Sequence, residues 1–419
     1  MKRIIFIFVC ILTSCIFITS CSDDDITSVN NEKTLSINEN HYVSYEDALK
    51  AALSVINGNQ PKVNGGRKAP KKTRNSVSDY YEYTYNDSDS SNVRFHVFNF
   101  DGNEGFVLVS ADNRTTPIFA YSDNGTLDID QSMKNTSFKE YMEDLVKYYK
   151  YQTRERPLPF IEVPDTFLAP TLWHGEWYRA RIVNDTITTG PLISATWNQT
   201  FPYNYYCPAV DTDNPHYYYA LNGRAAVGCV PVAIGQIMSY HEFPSSYNNV
   251  SFDWNLIKHS DYYLFNDTSA YSLETAKLLR QTGICANVVY GYSSSSNFNK
   301  AKAAFTNLGY NYSYSNFSQS TVLSSVQNRL PVYIRGEDSD DEGHAWVIDG
   351  ISIYRQTVYY YTYNYPYTYC FNEITDTNYF HCNWGWGGLS NGFYLSPFSV
   401  DDDGGYHDRK IIYNILPNV

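Results

Sequence analysis

The sequence predicts an α+β fold in which short helices accompany antiparallel sheet, arranged as two globular units. Three observations carry this reading. Runs of alternating apolar and polar residues, separated by Asp, Asn and Gly, recur over residues 80–121 and again over 332–415, which is the period of half-buried strands. Residues 230–240 form the best apolar helix, closed by Pro244. The chain also holds 41 tyrosines in 419 residues. Tyr joins an apolar body to a polar tip and suits half-buried strands and recognition surfaces better than a helical bundle.

Taken in order, residues 45–53 read as a helix with Ser44 as N-cap and Asp47 three positions on, a near capping box. Residues 58–75 are a Gly-, Pro-, Lys- and Arg-rich loop. Strands follow at 80–85, 93–100, 106–110 and 117–121. A helix at 137–151 then carries Phe138, Tyr141, Leu145, Tyr148 and Tyr149 at helical spacing. Residues 154–189 are a connection broken by prolines. Beyond it, helices are expected at 230–240, 275–282 and 298–308. Strands are expected at 332–334, 345–348, 354–369, 379–383, 392–395 and 411–415.

Composition bounds the function. With 43% hydrophobic and 18% charged residues the chain is too apolar to be disordered. A net charge of −13 without a basic run argues against nucleic-acid binding.

The N-terminus reads as an address. Lys2 and Arg3 precede an apolar stretch that ends in Ile18-Thr19-Ser20-Cys21, the pattern of a secretory signal. Its end resembles a bacterial lipobox, in which Cys21 would be lipidated. Ser22-Asp23-Asp24-Asp25 resembles the acidic tag of surface-exposed lipoproteins in Bacteroidetes. Residues 1–21 are therefore expected to be a lipoprotein signal, 22–40 a tether, and the protein an extracytoplasmic, outer-membrane lipoprotein. Beyond Cys21 the chain has Cys207, Cys229, Cys285, Cys370 and Cys382. An odd count in an exported protein leaves a thiol unpaired, which is unusual outside the cell unless the thiol does chemistry.

Cys229 is the candidate. It stands in Gly228-Cys229-Val230-Pro231 at the start of the apolar helix. Pro is tolerated in a first helical turn, and the positive end of the helix dipole favours thiolate, the nucleophilic form. A buried structural cysteine is the ordinary alternative. A thiolate attacking a carbonyl needs a proton donor for the leaving group. His344, in Gly343-His344-Ala345-Trp346, begins an apolar strand and is the candidate. Asp349-Gly350 reads as a hairpin turn. His381 beside Cys382 has no spaced Cys/His set with it, so no metal site is expected. The histidine needs an orienter: either Asn383, with the Trp384 indole as a shield, or the Trp384 ring itself, in Asn383-Trp384-Gly385-Trp386-Gly387-Gly388. The oxyanion needs donors: the Cys229 N–H and the Gln199 side chain, in Trp197-Asn198-Gln199.

The order Gln199, Cys229, His344, Asn383-Trp384 resembles that of papain-like cysteine peptidases, and the local motifs resemble the streptopain family. The matching segments also include Pro202-Tyr203-Asn204, Gln236-Ile237-Met238, Tyr240-His241 and Val347-Ile348-Asp349-Gly350. Gly105-Phe106-Val107-Leu108-Val109-Ser110-Ala111-Asp112 is similar to that family's inhibitory propeptide. The resemblance implies a papain-like peptidase domain over 191–419, an inhibitory propeptide domain over 41–160 and an activation linker over 161–190. In that linker Arg179 and Arg181 are candidate cut sites. It implies a secreted endopeptidase made as a zymogen, working on protein or peptide substrates without metal or cofactor, with its own propeptide as intramolecular inhibitor. The spacing from Cys229 to His344 is shorter than the roughly 130–150 residues of papain-type enzymes. The papain signature around the nucleophile is absent.

Two other readings stay open on sequence: an inactive adhesin on the same scaffold, and a papain-like amidase or acyl transferase. A Tyr-rich insert, with Tyr361, Tyr363, Tyr365, Tyr367 and Tyr369 at every second position, is expected to form one extended edge segment with its rings on one face, with residues 354–360 before it as the first arm of a hairpin. That face either packs on the enzyme or forms an aromatic flap.

Overall fold

The computed structural model describes residues 41–58, 76–86, 92–154, 178–210, 221–257, 267–337, 343–364, 367–396 and 408–419. The signal, lipobox and tether lie outside them.

Helix α1 (Tyr45–Gly58) starts at Ser44, whose Oγ accepts from the Asp47 N–H at 3.2 Å and donates to the Asp47 carboxylate at 3.0 Å. Its Ala48, Ala52 and Ile56, four residues apart, form the buried stripe. Strands β1 (Val77–Asn86), β2 (Asn92–Phe100), β3 (Phe106–Ser110) and β4 (Ile118–Ser122) form an antiparallel meander. Gly105 enters β3 at φ 110°, where a Cβ would collide with the Ser122 carbonyl, so only glycine fits. A short α2 (Ile129–Ser132), capped by Asp128, leads to α3 (Thr136–Arg154).

The second half begins with β5 (Tyr178–Thr189). Then come α4 (Cys229–His241), a small hairpin of β6 (Ser246–Tyr247) and β7 (Val250–Ser251), α5 (Trp254–Ile257), α6 (Ala270–Cys285) and α7 (Phe298–Asn307). Last are β8 (Tyr310–Asn316), α8 (Gln319–Gln327), β9 (Val332–Glu337), β10 (Gly343–Asn364), β11 (Tyr367–Asn383), β12 (Gly392–Leu395) and β13 (Asp408–Pro417). Helix α4 is buried on every side from Val230 to Met238, as an all-round apolar helix must be. Gly235 lets it approach Leu279 of α6 and Trp197; a Cβ there would meet Leu279 Cδ2 at 2.8 Å.

The strands outside the small hairpin join in one antiparallel sheet, ordered β1-β2-β3-β4-β12-β11-β10-β9-β13-β8, with β5 paired to the outer half of β10. The seam is β4 against β12, where Tyr121 pairs with Phe393 and Ala120 with Tyr394. The two expected units therefore share a sheet. One core, under α1, α3 and α8, runs from Phe95 and Phe119 to Trp346, Trp384 and Ile411. The other, under α4, α6 and α7, holds Trp197, Val232, Leu279, Ala345 and Val347.

Three expectations change. Asp349-Gly350 is no hairpin turn: it sits at a bulge inside β10. Asp349 is fully buried there, 2.6 Å from His381 Nδ1, and its other oxygen accepts from the Ile193 N–H at 2.9 Å. Gly350 is required because a Cβ would come within 2.7 Å of His381 Cβ. The Tyr-rich insert is not one extended segment. It folds back between Asn364 and Tyr367, pairing Thr362 with Tyr369 and Tyr363 with Thr368; Tyr365 and Pro366 lie outside the described residues. Finally, the end of the expected linker is strand β5. Arg179 and Arg181 pair with Tyr360 and Tyr359. A peptidase needs an extended chain free of ladder hydrogen bonds, so both are poor cut sites.

Candidate active site

Cys229 is the first residue of α4, and the preceding Gly228 has φ 92°. The Val227 N–H donates to the Gln199 carbonyl at 2.9 Å, which ties the Trp197-Asn198-Gln199 segment to the nucleophile's turn. The Gly387 N–H donates to the Trp197 carbonyl at 3.0 Å and brings the Trp384–Gly388 loop to the same place. From the sheet side, His344 stands at the start of β10, where it and Cys229 act on one another's charge. The structure thus gathers Gln199, Cys229, His344 and Trp384.

Burial alone would push the Cys229 thiol up. The charge of His344, its hydrogen bond, the Arg335 guanidinium and the Ala345 N–H outweigh this and bring it down to about 7. For His344 burial works downward, but the Cys229 thiolate, the hydrogen bond to it, the Trp384 carbonyl and the Glu140 carboxylate together hold it above its ordinary value. The pair is therefore set up as thiolate and imidazolium. His344 Nε2 donates to the Trp384 carbonyl oxygen at 3.4 Å, which leaves Nδ1 for the thiol.

Of the two expected orienters, Asn383 is bonded elsewhere. The Asn383 amide donates to the Ala195 carbonyl at 2.8 Å and its oxygen accepts from Gln236 Nε2 at 3.0 Å. It staples α4 and the 191–197 segment to β11. The group that His344 Nε2 meets is the main-chain carbonyl of Trp384. The indole is held by its own N–H donating to the Ser390 carbonyl at 3.0 Å. Asn383→Ala should consequently act on stability, costing about 1–3 kcal/mol for the bonding groups left unsatisfied. It should lower Tm while kcat falls far less than in His344→Ala; a His344-like loss of kcat with unchanged Tm would restore the Asn383 role.

Two residues were not singled out from sequence. Arg335 on β9 adds positive charge near the thiol. Glu140 on α3 lies against Gly336, where a Cβ would collide with its carboxylate, and Gly336 is directly opposite His344 in the β9–β10 ladder. Phe138 and Tyr141 of the same helix pack on the Trp384 ring at centroid distances of 5.9 and 6.4 Å. Helix α3 thus covers the histidine side of the site.

The thiol at about 7 makes a reactivity prediction. Iodoacetamide should alkylate Cys229 with a rate that steps up through about pH 7, rather than near the ~8.5 of an ordinary thiol. His344→Ala removes the cation, so the step should move upward. Cys207, pushed up to about 12 by burial, should stay slow. Equal pH profiles for wild type and His344→Ala would contradict the ion pair.

A helix-borne thiolate facing a strand-borne imidazolium, on a helical part packed against antiparallel sheet, defines a papain-like cysteine peptidase. The Peptidase C10 family signature matches residues 197–394, and that of the Spi protease inhibitor matches residues 40–150. The chain is a streptopain-like cysteine protease: a Peptidase C10 family domain preceded by a Spi-type propeptide inhibitor domain. It is 27% identical over 356 residues to streptopain of Streptococcus pyogenes serotype M28, covering 75% of this chain and 78% of that one. It is 23% identical over 397 residues to the thiol protease/hemagglutinin PrtT of Porphyromonas gingivalis, covering 84% of this chain and 40% of that one. The fold matches a prointerpain A fragment from Prevotella intermedia with TM-score 0.51 and 19% identity, covering 80% of this chain and 98% of that fragment.

Proposed function

We propose that Cys229 and His344 carry the peptidase chemistry and that α3 holds them silent in the zymogen. The observation that carries this is the placing of Cys229 at the head of α4 and His344 at the start of β10, each shifting the other toward its charged form, with the His344 ring held by the Trp384 carbonyl and the inhibitor helix laid over that side. The thiolate sulfur bonds to the scissile carbonyl carbon. The C–N bond breaks as the imidazolium gives its proton to the departing amine, leaving an acyl-enzyme. Water then attacks the thioester while His344 takes its proton, and the carboxylic acid leaves with the thiolate restored. The Cys229 N–H and the Gln199 side chain stabilise the oxyanion.

The activating cut belongs in residues 155–177, upstream of β5, so that β5 stays paired with β10 in the mature enzyme. Residues 1–21 direct export, Cys21 is the lipid anchor and 22–40 the tether. The anchor is tested by metabolic labelling with a fatty-acid probe, which Cys21→Ala should abolish. The function is tested by mass spectrometry of the purified chain over time together with its cuts in a peptide library. A new N-terminus between 155 and 177 and library cleavage lost in Cys229→Ala support the reading. An N-terminus beyond 189 overturns the β5 assignment.

A further inference from the structure

The segment that leads to Gln199 has no ladder of its own. Residues 190–198 are neither helix nor strand, so their course is set by the hydrogen bonds that other elements make to them. At its downstream end, the Ala195 carbonyl accepts from Asn383 Nδ2 at 2.8 Å and from Gln236 Nε2 at 3.2 Å. The Gln199 carbonyl accepts from the Val227 N–H at 2.9 Å. At its upstream end, two bonds go to one residue of β10, the strand that carries His344. Asp349 Oδ2 accepts from the Ile193 N–H at 2.9 Å, and the Asp349 carbonyl accepts from the Leu192 N–H at 2.9 Å. The two backbones approach closely there. A Cβ on Gly190 would collide with the Asp349 carbonyl, and one on Gly350 would come within 3.4 Å of Pro191 Cα.

The Asp349 side chain has a fixed aim. Asp349 is the extra residue of the β10 bulge, with Ile348 opposite Cys382 and Gly350 opposite His381, and a bulge re-aims a side chain out of the regular ladder. Its carboxylate is fully buried, and the second oxygen accepts from His381 Nδ1 at 2.6 Å. The His381 ring packs edge-to-face on Phe393 at a centroid distance of 5.1 Å. A buried polar group whose partners are all in place is held rigidly. Asp349 also follows His344 on the same strand, so the bond to Ile193 references the Gln199 segment to the strand that bears the base. We infer that Asp349 is a positioning residue for peptide hydrolysis: through Ile193 it sets the 192–199 segment so that the Gln199 side chain meets the oxyanion. This rests on the peptidase reading above, with Gln199 as oxyanion donor, and adds the group that places that donor.

The test uses the full chain after processing. Removing an oxyanion donor costs about 10²–10³-fold in kcat, so Gln199→Ala should lose that much with KM nearly unchanged. Asp349→Ala should lower kcat by about tenfold to a hundredfold, the order of loss that a displacement of ~1 Å brings. Asp349→Asn keeps an acceptor for the Ile193 N–H and should recover most of that loss. Two readouts separate placing Gln199 from merely holding the fold. Alkylation of Cys229 by iodoacetamide needs the thiolate but no oxyanion donor, so its rate and pH profile should match wild type in Asp349→Ala. The double variant Asp349→Ala with Gln199→Ala should be no slower than Gln199→Ala alone, because a displaced donor and an absent one forfeit the same interaction. Losses that multiply, alkylation that slows along with kcat, or an Asp349→Asn as slow as Asp349→Ala would overturn the inference. If Asp349→Ala does not fold, hydrogen exchange of the unmodified, processed enzyme decides. The Leu192 and Ile193 amides should exchange slowly, and unprotected amides there would overturn the clamp. Full kcat in Gln199→Ala would overturn the oxyanion reading itself, and the role of Asp349 with it.

Discussion

Cys229→Ala is expected to reduce kcat/KM by about 10⁴–10⁶-fold, the loss that follows removal of a covalent nucleophile, and to leave the purified chain at full length. The thiol is half-buried at the first residue of α4, so the exchange opens little space and Tm should hold. His344→Ala should lose a comparable amount, because a nucleophile and its base act as one unit and their effects do not add. The double variant should be no worse than either single one. Intact mass over time and hydrolysis of casein or a peptide library check this. Processing of Cys229→Ala alone in solution at the wild-type rate would show that another group cuts the chain. A folded Cys229→Ala that loses cleavage but keeps surface binding would show that an adhesin function sits beside the enzyme.

Much of this was readable from local pattern. The Ser44 cap, the meander from 77 to 122 and the apolar α4 stand where periodicity and capping chemistry place them, because each depends on neighbours in sequence. Cys229 and His344 were readable because a helix start and a strand start are local features that impose chemistry on the residue there. The misses share a different cause. Asp349-Gly350 has turn composition, but what decides its place is His381 and Ile193, remote in sequence, which satisfy a buried carboxylate. His344 Nε2 meets a main-chain carbonyl, and every residue has one, so side-chain chemistry pointed to Asn383 or the Trp384 ring instead. Strand β5 alternates well enough, but the prolines before it suggested an open connection. The β4–β12 seam rests on two neighbouring pairs, Ala120 with Tyr394 and Tyr121 with Phe393, that leave no mark on either segment. Glu140 and Asp144 look like the solvated face of α3, yet they are 3% and 0% exposed. The available hint was their spacing: four residues apart, flanking Tyr141 and Leu145 on the apolar side.

That buried acidic pair makes the second large prediction. Asp144 on α3 forms an ion pair with Arg409 on β13, and their side chains are 0% and 2% exposed. Arg409 is opposite Gly336, which is opposite His344. One row of the sheet therefore presents Arg409, the gap over Gly336 and the candidate base to helix α3, which answers with Asp144 and Glu140. Removing one partner of a buried pair strands the other charge and costs about 3–5 kcal/mol. In Asp144→Ala that cost falls on the closed state, in which α3 covers the site, and not on the opened one, where water reaches Arg409. The closed-to-open ratio should thus fall by roughly 10²–10⁴-fold at 1.4 kcal/mol per decade. The tethered inhibitor's high effective concentration offsets only part of this. In the uncut chain, Cys229 should be alkylated about a hundredfold faster or more, and self-processing should begin with a shorter lag. Asp144→Leu combined with Arg409→Met should restore slow alkylation, since an apolar pair of similar volume replaces a buried ion pair at little cost. Lys147→Ala, which removes only the half-exposed lysine 3.6 Å from Asp144, should change neither rate by more than about twofold, as exposed pairs contribute under ~1 kcal/mol. An Asp144→Ala zymogen that is alkylated and processed at the wild-type rate would mean that the aromatic contacts of Phe138 and Tyr141 with Trp384 hold the inhibitor in place without the ion pair.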